Sequence, residues 1–358
     1  MPRPDRLRFP RFLILLTALG LLAAACTSRP PSRHPPTGRP SGVTATATAA
    51  SPSAAPPPSP SPSPSPAPVH TTAAPSRTTP PAPPAQPPAH LPNFSHIAVI
   101  VMENEEYSSV IGASDAPYIN SLANQGALAT SYYAISHPSL PNYLALTGGS
   151  TFGVSSDCSP GSDCKGSGQS IADQLQAAGI SWKAYMEDLP ACPAQSDAGN
   201  YAVRHNPFAY YPQDVAYCGS KVVPASQLSG DIASGNLPRF AWITPNLCDD
   251  MHDPCGGDAI AHGDSYLRGV VPQLLAALGP DGVVFITFDE GDSDRGGGLP
   301  GSAGGQVVTI AAGSAVRAGA KSSDAYDHYS LLATIEAAWG LPRLNGAASA
   351  PLMADLFH

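Results

Sequence analysis

Two stretches of the chain are apolar at nearly every position. Ile97-Ala98-Val99-Ile100-Val101-Met102 and Val283-Val284-Phe285-Ile286-Thr287-Phe288 lack polar alternation and are rich in β-branched residues, the pattern of strands buried on both faces of a parallel sheet. Trp182–Met186, Phe240–Thr244 and Val307–Ala311 are weaker strand signals. Helical periodicity marks Tyr118–Asn124, Asn142–Leu146, Ile171–Ala178, Ser265–Leu278 and Tyr329–Trp339. Strands alternating with helices predict an α/β domain with a mostly parallel central sheet and helices on both faces. No internal repeat is visible. The Gly-rich stretch Arg295–Gly305 reads as a mobile loop whose glycines lack phosphate-cradling spacing.

The pattern stops before Asn93. Of the 42 prolines in the 358 residues, 22 fall between Thr27 and Pro92, a segment without Asp or Glu and with little beyond Ala, Ser and Thr. It cannot bury a core; residues 27–92 read as a disordered, polyproline II-rich tether. Residues 1–26 read as a secretory signal peptide. Arg3, Arg6, Arg8 and Arg11 precede the apolar run Phe12–Ala25, which is too short for a stable membrane span. Leu22-Ala23-Ala24-Ala25-Cys26 is similar to a bacterial lipobox, making Cys26 the candidate lipidation site. The predicted location is secreted or at the cell surface as a lipoprotein, touching the membrane through the lipid alone. Residues 93–358 then form one large single-core domain.

Charge and cysteines narrow the class. The formal net charge is −9, and the domain holds 10 Lys+Arg against 26 Asp+Glu, which argues against nucleic acid as a partner. Apart from Cys26 there are six cysteines, Cys158, Cys164, Cys192, Cys218, Cys248 and Cys255, an even set that reads as disulfides in an exported chain. Sequential pairing, 158–164, 192–218 and 248–255, is favoured because each pair closes a Gly/Pro/Asp-rich loop. A zinc site lacks any C-x-x-C spacing.

Ligands in such sheets sit beyond the carboxyl ends of the strands. Glu103-Asn104 follow Met102 and Asp289-Glu290 follow Phe288; Glu187-Asp188 and Asn246 end weaker strands. Clustered acids need a cation or a shared proton, and a hard divalent metal on oxygen ligands is the simplest resolution. In His137-Pro138-Ser139-Leu140-Pro141-Asn142-Tyr143, Pro141 suits a first helical turn, so Ser139 sits just before a helix N-terminus, where backbone amides favour anions. There it is either a nucleophile for phosphorus, with Asn142 and amides on the phosphoryl oxygens and the metal lowering its pKa, or merely an N-cap. The absence of a G-x-S-x-G elbow weakens an acyl-hydrolase reading.

Five ordered motifs, Val-Met-Glu103-Asn104-x-x-Tyr107, Ser136-His137-Pro138-Ser139-Leu140-Pro141-Asn142-Tyr143, Asn246 to Asp253, Thr-Phe-Asp289-Glu290-Gly and Tyr326-Asp327-His328-Tyr329-Ser330 through Glu336, resemble the bacterial phosphoesterase family. That family joins secreted acid phosphatases and non-specific phospholipases C within the alkaline-phosphatase-like superfamily; the resemblance is nearest to the actinobacterial secreted acid phosphatases. It implies an alkaline-phosphatase-like fold, Ser139 as nucleophile, Glu103, Asn104, Asp289, Glu290 and Ser139 around the metal, and Asn142 on phosphate. His252 and His328 fall on active-site histidines, for leaving-group protonation or phosphate binding. His137, just before the nucleophile turn, is a candidate for substrate binding; His262 reads as a helix-start residue, and Tyr107 as either a site or a core residue. Gly291-Asp292-Ser293-Asp294-Arg295 departs from the Asp-His of the phospholipase branch. The expected activity is a metal-assisted phosphomonoesterase acting through phosphoserine on small-molecule or lipid phosphates, with Ca, Mg, Zn or Fe as the ion. The alternatives are a phospholipase C-type phosphodiesterase and a non-catalytic surface lipoprotein that binds phosphorylated ligands.

Overall fold

The computed structural model describes residues 91–297 and 299–358. The signal peptide, Cys26 and nearly all of the tether lie outside the described residues. Among the described residues there are ten strands: β1 His96–Met102, β2 Ala127–Ala129, β3 Tyr132–Tyr133, β4 Trp182–Met186, β5 Val222–Pro224, β6 Phe240–Thr244, β7 Gly282–Phe288, β8 Thr309–Ala312, β9 Lys321–Ser322 and β10 Tyr326–Asp327. The α-helices are α1 Tyr107–Val110, α2 Pro117–Gln125, α3 Ser139–Gly148, α4 Ile171–Ala177, α5 Gln227–Ala233, α6 Ala259–Leu278 and α7 His328–Ala338.

Eight strands form one sheet in the order β5-β4-β6-β1-β7-β8-β2-β9, and β10 pairs with β3 beside it. The two apolar runs lie side by side at its centre: β1 pairs in parallel with β7 from His96↔Gly282 to Met102↔Phe288 and with β6 on its other side. Every residue of β7 is buried, which requires cover on both faces and explains the absence of alternation. The run near Val307 departs from the pattern: β8 is antiparallel to both β7 and β2.

The helices pack as two groups, α3 with α4 and α7, and α2 and α5 with α6. Helix α6 begins six residues before its periodic signal because the Asp258 side chain accepts from Ala261 N at 2.9 Å, a cap that the hydrophobic pattern does not register. Helix α3 is buried at all ten positions. It ends at Gly149, whose φ of 68° is the left-handed conformation that glycine adopts at low cost. The parallel register of β1 and β7 brings Glu103 and Asp289 out at one edge, and α3 delivers Ser139 to the same place.

Candidate active site

The nucleophile candidate is the first residue of α3, not the residue before it; Pro138 takes the N-cap position and makes no side-chain cap bond. The Ser139 hydroxyl is therefore not spent on the helix. It donates to Glu103 Oε2 at 3.3 Å in a fully buried setting. One turn on, on the same face, the Tyr143 hydroxyl donates to Glu103 Oε1 at 2.5 Å. The α3 N-terminus is closed by Asp157, whose Oδ1 accepts from Leu140 N at 2.9 Å.

The two acidic pairs meet. Asp289 Oδ1 accepts from Asn104 N at 3.2 Å and from Glu290 N at 2.6 Å. Burial, then the charges of Asp289 and Asp250, push Glu103 well above the usual carboxylate range against the pull of Tyr143. Burial raises Asp289 to about 6 although the Asn104 and Glu290 amides and the Ser139 hydroxyl oppose the shift. Burial and neighbouring Asp289 raise Glu290 to about 9. His137 Nδ1 lies 3.0 Å from Glu290 Oε2, while its Nε2–H donates to the Ser293 carbonyl at 3.1 Å.

A third carboxylate, Asp250, and a histidine complete the cluster. His205 Nδ1 is 3.1 Å from Asp250 Oδ2, and its Nε2 is 3.3 Å from Glu103 Oε1 without the alignment of a hydrogen bond. Glu103, His205 and Asp250 each offer a ligand atom within 4.8 Å of the others, a possible metal-binding triad. His205 Nε2 and Asp289 Oδ2 are buried without hydrogen-bond partners. Orphaned polar atoms beside carboxylates destabilised by burial are what a bound cation would satisfy, so the residues fit a divalent ion.

The remaining predicted residues are placed as follows. Asn142 is fully buried; its Oδ1 accepts from Ile135 N and Ser136 N at 3.0 Å each, and its Nδ2 donates to the Ser136 carbonyl at 2.8 Å. It ties down the turn before Ser139, with one weak contact to Glu290 Oε2 at 3.4 Å, rather than facing the cleft. His328 is also fully buried: Nε2–H donates to the Asp289 carbonyl at 2.6 Å and Nδ1 accepts from the Tyr132 hydroxyl at 3.1 Å. Burial lowers its pKa to about 4, so it stays neutral beneath Asp289 and does not reach the mouth. His252 does, half-buried, with Nδ1 2.8 Å from Asp253 Oδ1 and Nε2 accepting from Arg204 Nη2 at 3.0 Å. Arg204 Nε in turn lies 3.5 Å from Asp157 Oδ2. His262 is the fourth residue of α6, and Tyr107 opens α1, partly buried against the core. Disulfides join Cys158 to Cys164, Cys192 to Cys218 and Cys248 to Cys255, as the loop composition suggested. The last closes the loop that carries Asp250 and His252. Gly263 of α6 packs so closely on this loop that a Cβ there would overlap Met251.

Sequence reasoning missed His205, Tyr143, Arg204 and Asp157. Tyr143 carried a usable signal, lying four residues after Ser139 on one helix. His205, the last residue of the short 3-10 turn Val203–His205, carried none.

A serine hydroxyl is thus held against clustered carboxylates at the carboxyl edge of the central strands. The chain belongs to the Phosphoesterase family, whose model matches residues 109–342, and is a hydrolase of phosphoric ester bonds. It is 34% identical over 272 residues to the phosphatidylinositol-3-phosphatase of Mycobacterium tuberculosis, covering 75% of this chain and 84% of that protein. It is 31% identical over 278 residues to the phosphate-repressible acid phosphatase of Penicillium chrysogenum, covering 73% of this chain and 64% of that protein. Among solved structures, a Bacteroides thetaiotaomicron protein from a locus for metabolism of multiple glycosaminoglycans shares the fold. Its TM-score is 0.53 at 14% identity, covering 74% of this chain and 82% of that one. A protein in the alkaline phosphatase superfamily from Vibrio parahaemolyticus aligns with a TM-score of 0.49 at 13% identity, over 75% and 73% of the two chains.

Proposed function

We propose that the domain is an exported phosphomonoesterase of the acid phosphatase type that works through a phosphoserine at Ser139. The observation that carries this reading is the direction of the Ser139 hydroxyl, which points at Glu103 Oε2, 3.3 Å away, and caps nothing. Glu103 takes the serine proton as Oγ bonds to phosphorus and the bond from phosphorus to the leaving oxygen breaks. His252 and His137 stand at the mouth and supply the proton that the leaving alcohol needs. Water then attacks the phosphoseryl phosphorus, one of its protons returning to the histidine that protonated the alcohol; the bond from phosphorus to Oγ breaks, orthophosphate departs, and Oγ regains its proton from Glu103. Asn142 and His328 support this chemistry from behind: Asn142 fixes the turn before the nucleophile, and His328 holds the backbone of Asp289.

A divalent ion, Ca, Mg, Zn or Fe, supplies charge that lowers the serine pKa and offsets the carboxylates when bound. The residues that would hold it are Glu103, Asn104, Asp289, Glu290 and Ser139, with His205 and Asp250 adjoining through Glu103. The substrate class is a phosphomonoester on a small molecule or lipid headgroup; the name of the mycobacterial relative, a phosphatidylinositol-3-phosphatase, supports including the lipid. Three disulfides suit an oxidising compartment, and export through the Met1–Cys26 signal with a lipid on Cys26 belongs to the same reading.

The test is Ser139→Ala on p-nitrophenyl phosphate. Turnover is expected to vanish while the melting temperature stays within a few degrees of the parent. Retained turnover in the folded variant would refute the assignment.

A further inference from the structure

A phosphate dianion has to enter a site built from Glu103, Asp250, Asp289 and Glu290, all at or below 7% exposure. Its outer oxygens need positive or N–H partners, and two donors at the head of α3 are already occupied. The Leu140 amide at the head of α3 is taken by Asp157, and the Asn142 amide is spent on the turn around Ser136. The nearby group with spare donors is Arg204. Its guanidinium donates to His252 Nε2 at 3.0 Å and meets Asp157 only loosely, at 3.5 Å. Among the described residues its other N–H groups have no protein hydrogen bond. The next residue, His205, lies 3.1 Å from Asp250 and 3.3 Å from Glu103, which sets this turn against the cluster.

Asp157 fixes where that charge sits relative to the nucleophile. One of its oxygens holds the amide next to Ser139, and the other faces the guanidinium. The backbone beside the nucleophile and the guanidinium thus face the same carboxylate.

We infer that Arg204 binds the non-bridging phosphoryl oxygens of the substrate and sets a preference for phosphomonoesters over phosphodiesters. The inference rests on the phosphomonoesterase reading above. In an in-line transfer the charge spreads over the equatorial oxygens. A monoester offers three of them and a diester two, the third being esterified. A planar guanidinium grips two oxygens at once, so the diester leaves either the fork or the remaining positive partners of the site short of an acceptor. Turning toward phosphate, Arg204 also releases His252 Nε2, which becomes free to carry the leaving-group proton.

The experiment compares the parent domain with Arg204→Gln and Arg204→Lys on p-nitrophenyl phosphate and bis(p-nitrophenyl) phosphate, with orthophosphate binding followed by calorimetry. Losing one positioned donor typically lowers turnover by about 10²–10³-fold. Arg204→Gln is expected to lose that much on the monoester, to change by less than about tenfold on the diester, and to bind orthophosphate at least about tenfold more weakly. Arg204→Lys, which keeps the charge but not the fork, is expected between the two and also serves if the Gln variant does not fold. Equal losses on both esters, or unchanged orthophosphate binding in a folded variant, would overturn the inference. A parent domain that cleaves neither ester would sink the phosphatase reading instead, and the orthophosphate titration would still decide whether Arg204 grips phosphate.

Discussion

Tyr143→Phe isolates the support of Glu103 from every other contribution. The substitution removes one oxygen and leaves the ring, which stacks on His205 at 5.4 Å between centroids and 10° between planes. What disappears is the 2.5 Å hydrogen bond to Glu103 Oε1 between two residues with no solvent exposure. A hydrogen bond to an ionised acceptor contributes about 1.5–3 kcal/mol. Loss of such an outer-sphere partner typically lowers metal affinity by about ten- to a hundredfold, and Glu103 should hold a cation less tightly by that factor. The pKa argument adds a direction. Tyr143 pulls the Glu103 pKa down against burial and the charges of Asp289 and Asp250. Without it the proton competes better with the metal, and the defect should be larger at pH 5 than at pH 8. Calorimetric titration of Mn²⁺ or Ca²⁺ into chelator-treated parent and variant across that range measures both quantities. Affinities within about twofold at every pH, in a variant with unchanged melting, would show that Tyr143 packs against Glu103 without supporting it.

Two further outcomes follow from groups outside the carboxylate cluster. Replacing Cys248 and Cys255 by Ser opens a link of sequence separation 7, worth about 2 kcal/mol by loop-closure entropy; thermal melts should fall by several degrees, and KM should rise because the same loop carries Asp250 and His252. Glu336, fully buried with Oε1 accepting from Leu344 N at 3.0 Å, is raised to about 8, chiefly by burial. Since the folded domain holds that proton more tightly than the unfolded chain, its contribution is complete at acid pH and is lost as pH climbs from about 4 to 8. Glu336→Gln should therefore flatten the decline of melting temperature over that interval, and an unchanged slope would contradict it.

The sheet centre was legible because β1 and β7 are apolar almost throughout, and the site edge was legible because acids follow both. The same reasoning extended to Val307–Ala311 predicted a strand but not its direction: direction depends on the connection, and an apolar run reads alike both ways. Short strands such as β3 and β10, two residues each, are set by tertiary pairing and leave no periodic trace. Among the site residues, Glu103, Ser139, Asp289 and Glu290 came from motif and strand-end arguments. His328 was visible as a helix-opening histidine, yet its inward orientation depends on Tyr132, 196 positions earlier in the chain. Arg204 and His205 sit in a three-residue 3-10 turn, Val203–His205, whose placement is decided by packing on α3, a long-range contact that single-sequence patterns do not encode.

Helix α3 has no solvent-facing side, and this fixes what can vary in relatives built on the same plan. If Ser139 is the nucleophile proposed above, a serine mounted on so confined a rod is a stationary anvil to which the ester is carried. Substitutions along the rod strike the core before they touch selectivity, so diversification of substrate choice is channelled into the surrounding loops, where the Cys158–Cys164 and Cys248–Cys255 links let sequence change while shape is retained.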